Sequence, residues 1–90
     1  MTDQELPTFR VGVEVTLRPA VLDPQGTAIL RGLHALGFIA IEEAHAGKFF
    51  RLIVRAVDAD AALAEAQRAC ERLLSNPVIE TFALHLEAPA

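Results

Sequence analysis

Hydrophobic and polar residues alternate in three parts of the chain, at residues 9–17, 49–56 and 81–87. Alternation with a period of two is typical of a strand that buries one of its faces. A less regular apolar segment, which begins at residue 38 or 41 and ends at 46, predicts a further strand. We therefore expect four strands.

The first predicted helix spans residues 24–36, where apolar residues recur every three or four positions. Asp23 can cap this helix, and Pro24 suits its first position because the φ angle of proline is already helical. Gly37 supplies the left-handed residue that commonly follows a helix. The predicted apolar face of the helix consists of Ile29, Leu33 and Leu36.

The second predicted helix begins at Asp58 or Asp60 and ends near Leu74. Asn76 lies directly before Pro77, and a residue before proline avoids helical geometry, so the helix cannot continue through this pair. Its predicted inward positions are Leu63, Ala66, Cys70 and Leu73.

The resulting order, βαββαβ, predicts a two-layer α+β domain of the ferredoxin-like type, with two helices on one face of an antiparallel sheet. A hairpin at Gly47-Lys48 would join the two βαβ halves, with Gly47 at a position that needs a positive φ angle. Ninety residues correspond to one domain, with residues 1–7 as a flexible N-terminal extension and 88–90 as a tail.

The composition points to self-association, because 52% of the residues are hydrophobic. A domain of this size hides only about 60–65% of its unfolded surface, so apolar residues remain for an interface. Phe49 and Ile53 lie on the outward face of the third predicted strand. We therefore expect an oligomer held together through this face of the sheet.

The charge and the absence of certain segments exclude several partners and compartments. The net charge of −4 and the pI near 5.2 argue against nucleic acid, which needs clustered basic residues. No apolar run approaches the ~20 residues that span a membrane. The acidic N-terminus is unlike a secretory signal, and the single cysteine cannot form an internal disulfide. These features indicate a cytoplasmic protein.

The residues do not form a pattern typical of a catalytic or metal site. The three histidines fall on separate elements without a carboxylate or cysteine at ligand spacing, and Cys70 has no base near it in sequence. Glu42 and Glu43 point to opposite faces of the predicted second strand. No phosphate-binding glycine loop is present. We therefore expect no catalytic residue and no metal ligand on this chain.

Three separated segments resemble one family. They are V-L-D-P-Q-G at residues 21–26, Gly47-Lys48 followed by Phe49, and C-E-R-L-L-S-N-P-V-I-E at residues 70–80. In this order and spacing they resemble PurS, the small subunit of bacterial and archaeal phosphoribosylformylglycinamidine (FGAM) synthase, over nearly the whole chain.

The resemblance implies a non-catalytic subunit that associates with itself and bridges two enzymes. A PurQ-type subunit releases ammonia from glutamine, and a PurL-type subunit uses ATP and magnesium to convert formylglycinamide ribonucleotide (FGAR) to FGAM in purine biosynthesis. This chain would itself carry no cofactor. The residues expected to determine its interactions are Arg18, Pro19, Asp23, Gln25, Gly26, Gly47, Lys48, Asn76 and Pro77.

Several of these residues also have a structural interpretation. Asp23 could act as a helix cap, Gly26 could allow tight packing, Gly47 could form a turn, and Pro77 could stop the second helix. For Arg18, Gln25 and Lys48 no structural role is evident from the sequence, so we rank these three above the others.

The alternative is a small-molecule sensor of the ACT type, which shares the βαββαβ order and binds amino acids beside a proline-containing loop after its first strand. The segment from Arg18 to Gln25 occupies that place. However, ACT domains usually accompany a catalytic or DNA-binding domain, and their loop tends to carry a glycine. A free-standing enzyme is a more distant third interpretation.

Overall fold

The computed structural model describes the backbone of residues 5–89 and the side chains of residues 5–87. Its antiparallel sheet has the strand order β2-β1-β3, with β1 at Thr8–Leu17, β2 at Gly47–Arg55 and β3 at Glu80–Pro89. The helices are α1 at Pro24–Ala35 and α2 at Ala59–Ala69, and α2 continues into a π-helical turn at Cys70–Leu74.

The core lies between the central strand and α2. Val11, Val13 and Val15 of β1 are 0% exposed, and α2 presents small residues to them, namely Ala62 and Ala66. Small side chains allow the helix backbone to lie close to the sheet, where the branched valines fill the space. Apolar residues of β2 and β3 on the same face complete this layer.

The predicted two-layer fold class is confirmed, but the predicted second strand is wrong. Residues 41–46 form no strand, and Gly47 begins β2 opposite Thr16 instead of turning a hairpin. The Ala46 N–H donates to the Asp23 side chain at 2.9 Å, so this segment is tied to the start of α1. The three observed strands correspond to the first, third and fourth of the predicted plan.

The end of the second helix departs from regular α-helical geometry. The Ser75 N–H donates to the Cys70 carbonyl at 3.0 Å, five residues back, which widens the last turn. The widened turn moves the next inward position from Leu73 to Leu74. Leu73 was predicted to point inward and is instead 82% exposed. At the other end, Asp58 is the cap, since its Oδ1 accepts from the Ala61 N–H at 2.8 Å.

Helix α1 lies apart from the sheet, so only α2 occupies the predicted position on its face. Gly26 is the one buried residue of α1, whereas Ile29 is 44% exposed and Leu36, just after the helix, is 76% exposed. The radius of gyration is 17.1 Å, against about 12 Å for a compact domain of this length. The chain is therefore elongated, 57 Å by 27 Å by 15 Å.

The ends of the described chain pair with the sheet more than the sequence predicts. The Pro7 carbonyl accepts a hydrogen bond from the Ala56 N–H at 3.1 Å, and β3 continues through Pro89. Residues 1–4 of the predicted extension and residue 90 of the predicted tail lie outside the described residues. Within residues 5–89, no helix has the length and apolar character needed to cross a membrane.

Cys70 offers a test of a purely structural cysteine, because it is 0% exposed at the end of α2. Burial raises the pKa of the Cys70 thiol, which disfavours the reactive thiolate. We expect Cys70→Ala to lower the free energy of unfolding by about 0.5–1.5 kcal/mol, the range for deleting one buried heavy atom, as measured by urea denaturation. A folded Cys70→Ala protein that no longer associated with the partner subunits implied by the resemblance would contradict this view.

Candidate interaction site

The three segments that carry the family resemblance meet at one end of the sheet, which we call the motif end. The antiparallel register places Leu17 opposite Glu80 and Thr16 opposite Gly47. The segment after β1, the first residues of β2 and the turn before β3 therefore lie together, although they are up to about 60 residues apart in sequence.

Asp23 connects the start of α1 to the start of β2. Its Oδ1 accepts from the Gly26 N–H at 2.9 Å, as predicted for a cap, and its Oδ2 accepts from the Ala46 N–H at 2.9 Å. The hydrogen bond from the Gly26 N–H, which has the largest effect, and the one from the Ala46 N–H lower the pKa of the Asp23 carboxyl. His45 Nδ1 lies 3.8 Å from the same Oδ2. The carboxylate thus fixes the helix to the rest of the protein.

Gly26 and Gly47 are both required by close backbone contacts. A Cβ on Gly26 would lie 2.3 Å from the Ala44 carbonyl oxygen, where the segment before β2 crosses the helix. This confirms the tight packing expected at Gly26. A Cβ on Gly47 would lie 2.6 Å from the Val15 carbonyl oxygen, and the only described residue with a positive φ angle is Gly37. Gly47 is therefore needed for proximity to β1, and the predicted turn geometry is wrong.

Glu80 is a site residue that sequence reasoning missed. Its Oε1 accepts from the Asn76 N–H at 2.7 Å, and its Oε2 lies 3.2 Å from Lys48 Nζ. The Asn76 N–H, with a smaller effect of Lys48, lowers the pKa of Glu80. Only 12% of this side chain is exposed. The sequence did contain one indication of its role, because Glu80 is the last residue of the N-P-V-I-E segment that carries the family resemblance.

Arg18 and Lys48 have structural roles that were not evident from the sequence. Arg18 donates from Nε and Nη2 to the Pro77 carbonyl, at 3.1 and 2.8 Å, and from its backbone N–H to the Ile79 carbonyl at 2.8 Å. Lys48 pairs with Glu80 as described. Both side chains therefore hold the motif end together. Asn76 and Pro77 belong to the turn that Arg18 and Glu80 fix in place.

Gln25 and Pro19 are the two predicted site residues left open to a partner. Both are exposed, and the Gln25 side chain makes no hydrogen bond within the part of the chain that the structure describes. Pro19 lines an open groove of about 520 Å³ beside Leu17, Val21 and Leu22. This groove is mainly apolar, with Arg18 and His45 among its lining residues.

The outward sheet face carries the predicted interface residues Phe49 and Ile53, which are 50% and 56% exposed. The Phe49 ring lies over Gly12, where a Cβ would come within 3.0 Å of it. Arg51 lies 5.2 Å from the Phe49 ring centroid and donates to both carboxylate oxygens of Glu87, at 2.7 and 3.0 Å. This face is therefore mixed, with apolar residues beside a paired arginine.

The cysteine and the histidines of the described chain are held by packing or by surface contacts. Cys70 is buried, and His34, His45 and His85 make surface contacts with the Ile41 carbonyl, Glu43 and Glu14. No group of three potential metal ligands comes together within residues 5–89. The motif end itself presents an apolar groove and the charged side chains of Arg18 and Lys48 at the surface.

The lowered pKa values of Asp23 and Glu80 predict how stability depends on pH. A carboxyl group whose pKa is lower in the folded state stabilises the protein above its ordinary pKa of about 4 and loses that contribution as the pH falls below it. We expect Glu80→Gln to be less stable than the parent at pH 7, with a smaller difference at pH 3. Urea denaturation at both pH values measures this.

The control for this prediction is Glu42→Gln, at an exposed position outside the motif end. Its difference from the parent protein should be small and similar at both pH values. A Glu80→Gln difference that stays the same from pH 7 to pH 3 would show that the charge of Glu80 does not stabilise the fold.

Comparison with known proteins identifies the family. The profile of PurS, described as phosphoribosylformylglycinamidine (FGAM) synthase, matches residues 10–88. The FGAM synthase subunit PurS of Synechocystis sp. is 37% identical over 81 residues, an alignment that covers 90% of this chain and 81% of that subunit. The matches do not favour the ACT-type alternative.

Two solved structures from Thermotoga maritima extend this comparison, each 32% identical to the chain. The crystal structure of its purS subunit has a TM-score of 0.87 and covers 92% of this chain and 95% of that one. A chain in the structure of PurLQS has a TM-score of 0.85 and covers 91% and 100%, respectively. With its motif segments gathered at one end of the sheet, the chain belongs to the PurS family of FGAM synthase subunits.

Proposed function

We propose that this chain is the non-catalytic small subunit of FGAM synthase and bridges a glutaminase and a synthetase subunit. The observation that carries the proposal is its similarity, over 91% of its length, to a chain in the PurLQS structure of Thermotoga maritima. In this role the protein allows ammonia from glutamine to be used for the ATP-dependent conversion of FGAR to FGAM.

The chemistry of the reaction belongs to the partner subunits under this proposal. ATP and magnesium bind the PurL-type synthetase, glutamine is hydrolysed by the PurQ-type subunit, and this chain carries no cofactor of its own. The complex operates in the cytoplasm, where purine nucleotides are made.

The motif end is the proposed contact surface for the partner subunits. Gln25 and Pro19 are exposed and contact the partners directly. The other predicted site residues hold the shape of this surface through the hydrogen bonds and close contacts described above: Arg18, Asp23, Gly26, Gly47, Lys48, Asn76 and Pro77.

Self-association is part of the proposed function. The chain exposes 6503 Å², whereas a monomer of 9.7 kDa is expected to expose about 5,100 Å². The excess of about 1,400 Å² is larger than the ~800 Å² that a standard interface removes from each partner. We assign the largest share to α1, whose apolar stripe lacks a partner within the described chain. A second contact through Phe49 and Ile53 stays a prediction.

Co-purification tests the bridging role. The chain is mixed with a PurL-type and a PurQ-type subunit, and the mixture is separated by size-exclusion chromatography coupled to light scattering. We expect one peak that contains all three proteins, and separate peaks for the two larger subunits when this chain is omitted. A glutaminase and a synthetase that form the same complex without this chain would overturn the proposal.

A further inference from the structure

The centre of the outward sheet face is built to be flat. Gly12 of the central strand leaves room for the Phe49 ring, which a Cβ at this position would approach to 3.0 Å. Arg51 of β2 and Glu87 of β3 pair across the same glycine, with bonds of 2.7 and 3.0 Å. The two charges neutralise each other within the chain. Another molecule can therefore cover this centre without burying an unpaired charge.

Two charges on the same face of the central strand have no such partner across the sheet. The half-buried Arg10 makes no side-chain hydrogen bond or salt bridge within residues 5–87. Glu14 is 57% exposed, and its nearest charged neighbour is His85, whose Nε2 lies 3.5 Å from the carboxylate. Arg10 and Glu14 are four residues apart on one strand, about 13 Å, so they cannot pair with each other.

These two charges and the two exposed apolar residues of β2 are arranged symmetrically. The strand register places Arg10 beside Ile53 and Glu14 beside Phe49. The row halfway between these two pairs is that of Gly12, which we call the midline row. A cation and an apolar residue therefore lie on one side of the midline row, and an anion and an apolar residue lie at the same distance on the other side.

We infer that the outward sheet face binds the same face of a second copy, related to it by a two-fold axis along the midline row. This axis reverses the strand direction, so Arg10 of each copy meets Glu14 of the other, and Ile53 meets Phe49. Sheets that pack face to face lie about 10 Å apart, a gap that an arginine and a glutamate side chain span together. The inference rests on the proposed self-association and names the residues of its second contact.

The symmetry of the charges identifies a second copy as the occupant. A contact between identical surfaces requires that each group find its complement across the axis, whereas contact with a different protein imposes no symmetry on one face. The alternative two-fold axis, along the strands, would place Arg10 against Arg10 of the second copy. Like charges in an interface are unfavourable, so the charge pattern favours the antiparallel arrangement.

The exposed area leaves room for this contact beside the one through α1. One standard interface accounts for ~800 Å² of the excess, and about 600 Å² is left. A contact of that size is weak by itself, but two such contacts strengthen each other when they close an assembly that α1 already joins. We therefore expect the sheet contact to join α1-linked dimers into a larger assembly.

The test reverses the two charges in the full-length protein. Arg10→Glu or Glu14→Arg alone brings like charges together between copies, and each should reduce the larger assembly to a dimer, with a sheet contact at least about 30-fold weaker. The double variant Arg10→Glu/Glu14→Arg restores opposite charges and should bring this affinity back to within about threefold of the parent. Size-exclusion chromatography coupled to light scattering, over a range of protein concentrations, measures the mass.

The matched control is Arg55→Glu, the same change at an exposed arginine on the same face of the sheet. The proposed axis places Arg55 against Gly47 of the second copy, so the mass should stay that of the parent. If a charge reversal unfolds the chain, Arg10→Gln and Glu14→Gln provide the same test. Each should weaken the contact, and the two together should weaken it little more than one alone, because both remove the same pair.

The outcomes separate this inference from the proposed function. A parent protein that forms no assembly larger than a dimer, or a double variant that is no better than the single ones, would overturn the contact. An equal loss with Arg55→Glu would overturn the pairing of Arg10 with Glu14. Loss of binding to a PurL-type or PurQ-type subunit with an unchanged mass would assign the face to that subunit. The bridging function itself fails only if the parent protein binds neither subunit.

Discussion

Gly26→Ala is expected to be among the most destabilising single substitutions in this chain. The new Cβ would lie 2.3 Å from the Ala44 carbonyl oxygen and 2.5 Å from Asp23 Oδ2, and one of these neighbours is backbone that cannot rotate away. We expect the free energy of unfolding to fall by about 3 kcal/mol, the upper part of the range for overpacking, as measured by urea denaturation.

The matched control is Gly32→Ala in the same helix, where a Cβ meets nothing within 4 Å. Alanine is a better helix former than glycine by about 1 kcal/mol, so this variant should be as stable as the parent or more stable. If both variants changed stability by the same amount and in the same direction, helix propensity would explain the result and the close contact at Gly26 would be irrelevant.

Ile29→Asp is expected to abolish most self-association. Ile29 lies on the apolar side of α1 and is 44% exposed in a single chain, so a charge there would be desolvated wherever this helix packs against a second copy. We expect association to weaken by at least about 30-fold. Sedimentation at micromolar concentration should then give the monomer mass of 9.7 kDa.

Two further variants decide which surface is responsible. Arg31→Asp introduces the same residue two positions along α1, on a different side of the helix, and should leave the mass of the oligomer unchanged. Ile53→Asp tests the outward sheet face that the alternation of β2 predicted as the interface. An oligomer that survives Ile29→Asp and dissociates with Ile53→Asp would move the contact from α1 to the sheet.

The elements that could be predicted from sequence are those that depend on near neighbours. Alternation identified all three observed strands and the sides on which Val13 and Ile53 lie, because the side-chain period in a strand is fixed. Asp23 and Pro24 located the start of α1, and Gly37 its end, since helix ends obey local geometry. The family resemblance linked three segments that are distant in sequence to one family, and so to one function.

What could not be predicted depends on contacts between distant residues. The bond from Arg18 to the Pro77 carbonyl spans 59 residues, and no local pattern announces it. Residues 41–46 have an irregular apolar pattern. The Ala46 N–H donates to the Asp23 carboxylate, so it is not available for pairing with a neighbouring strand. The π-helical turn after Cys70 changes which leucine points inward without changing the spacing of apolar residues in the sequence.

The rate of FGAM formation with two nitrogen sources is the decisive test of the bridging role. A PurL-type and a PurQ-type subunit are assayed with FGAR and ATP, first with glutamine and then with ammonium, in the presence and absence of this chain. We expect the chain to raise the glutamine-dependent rate greatly and to change the ammonium-dependent rate little, because only the first reaction couples two active sites. Gln25→Ala should lower the first rate while leaving the fold intact. Full glutamine-dependent activity without the chain, or glutamine hydrolysis by the chain alone, would contradict a non-catalytic bridging role.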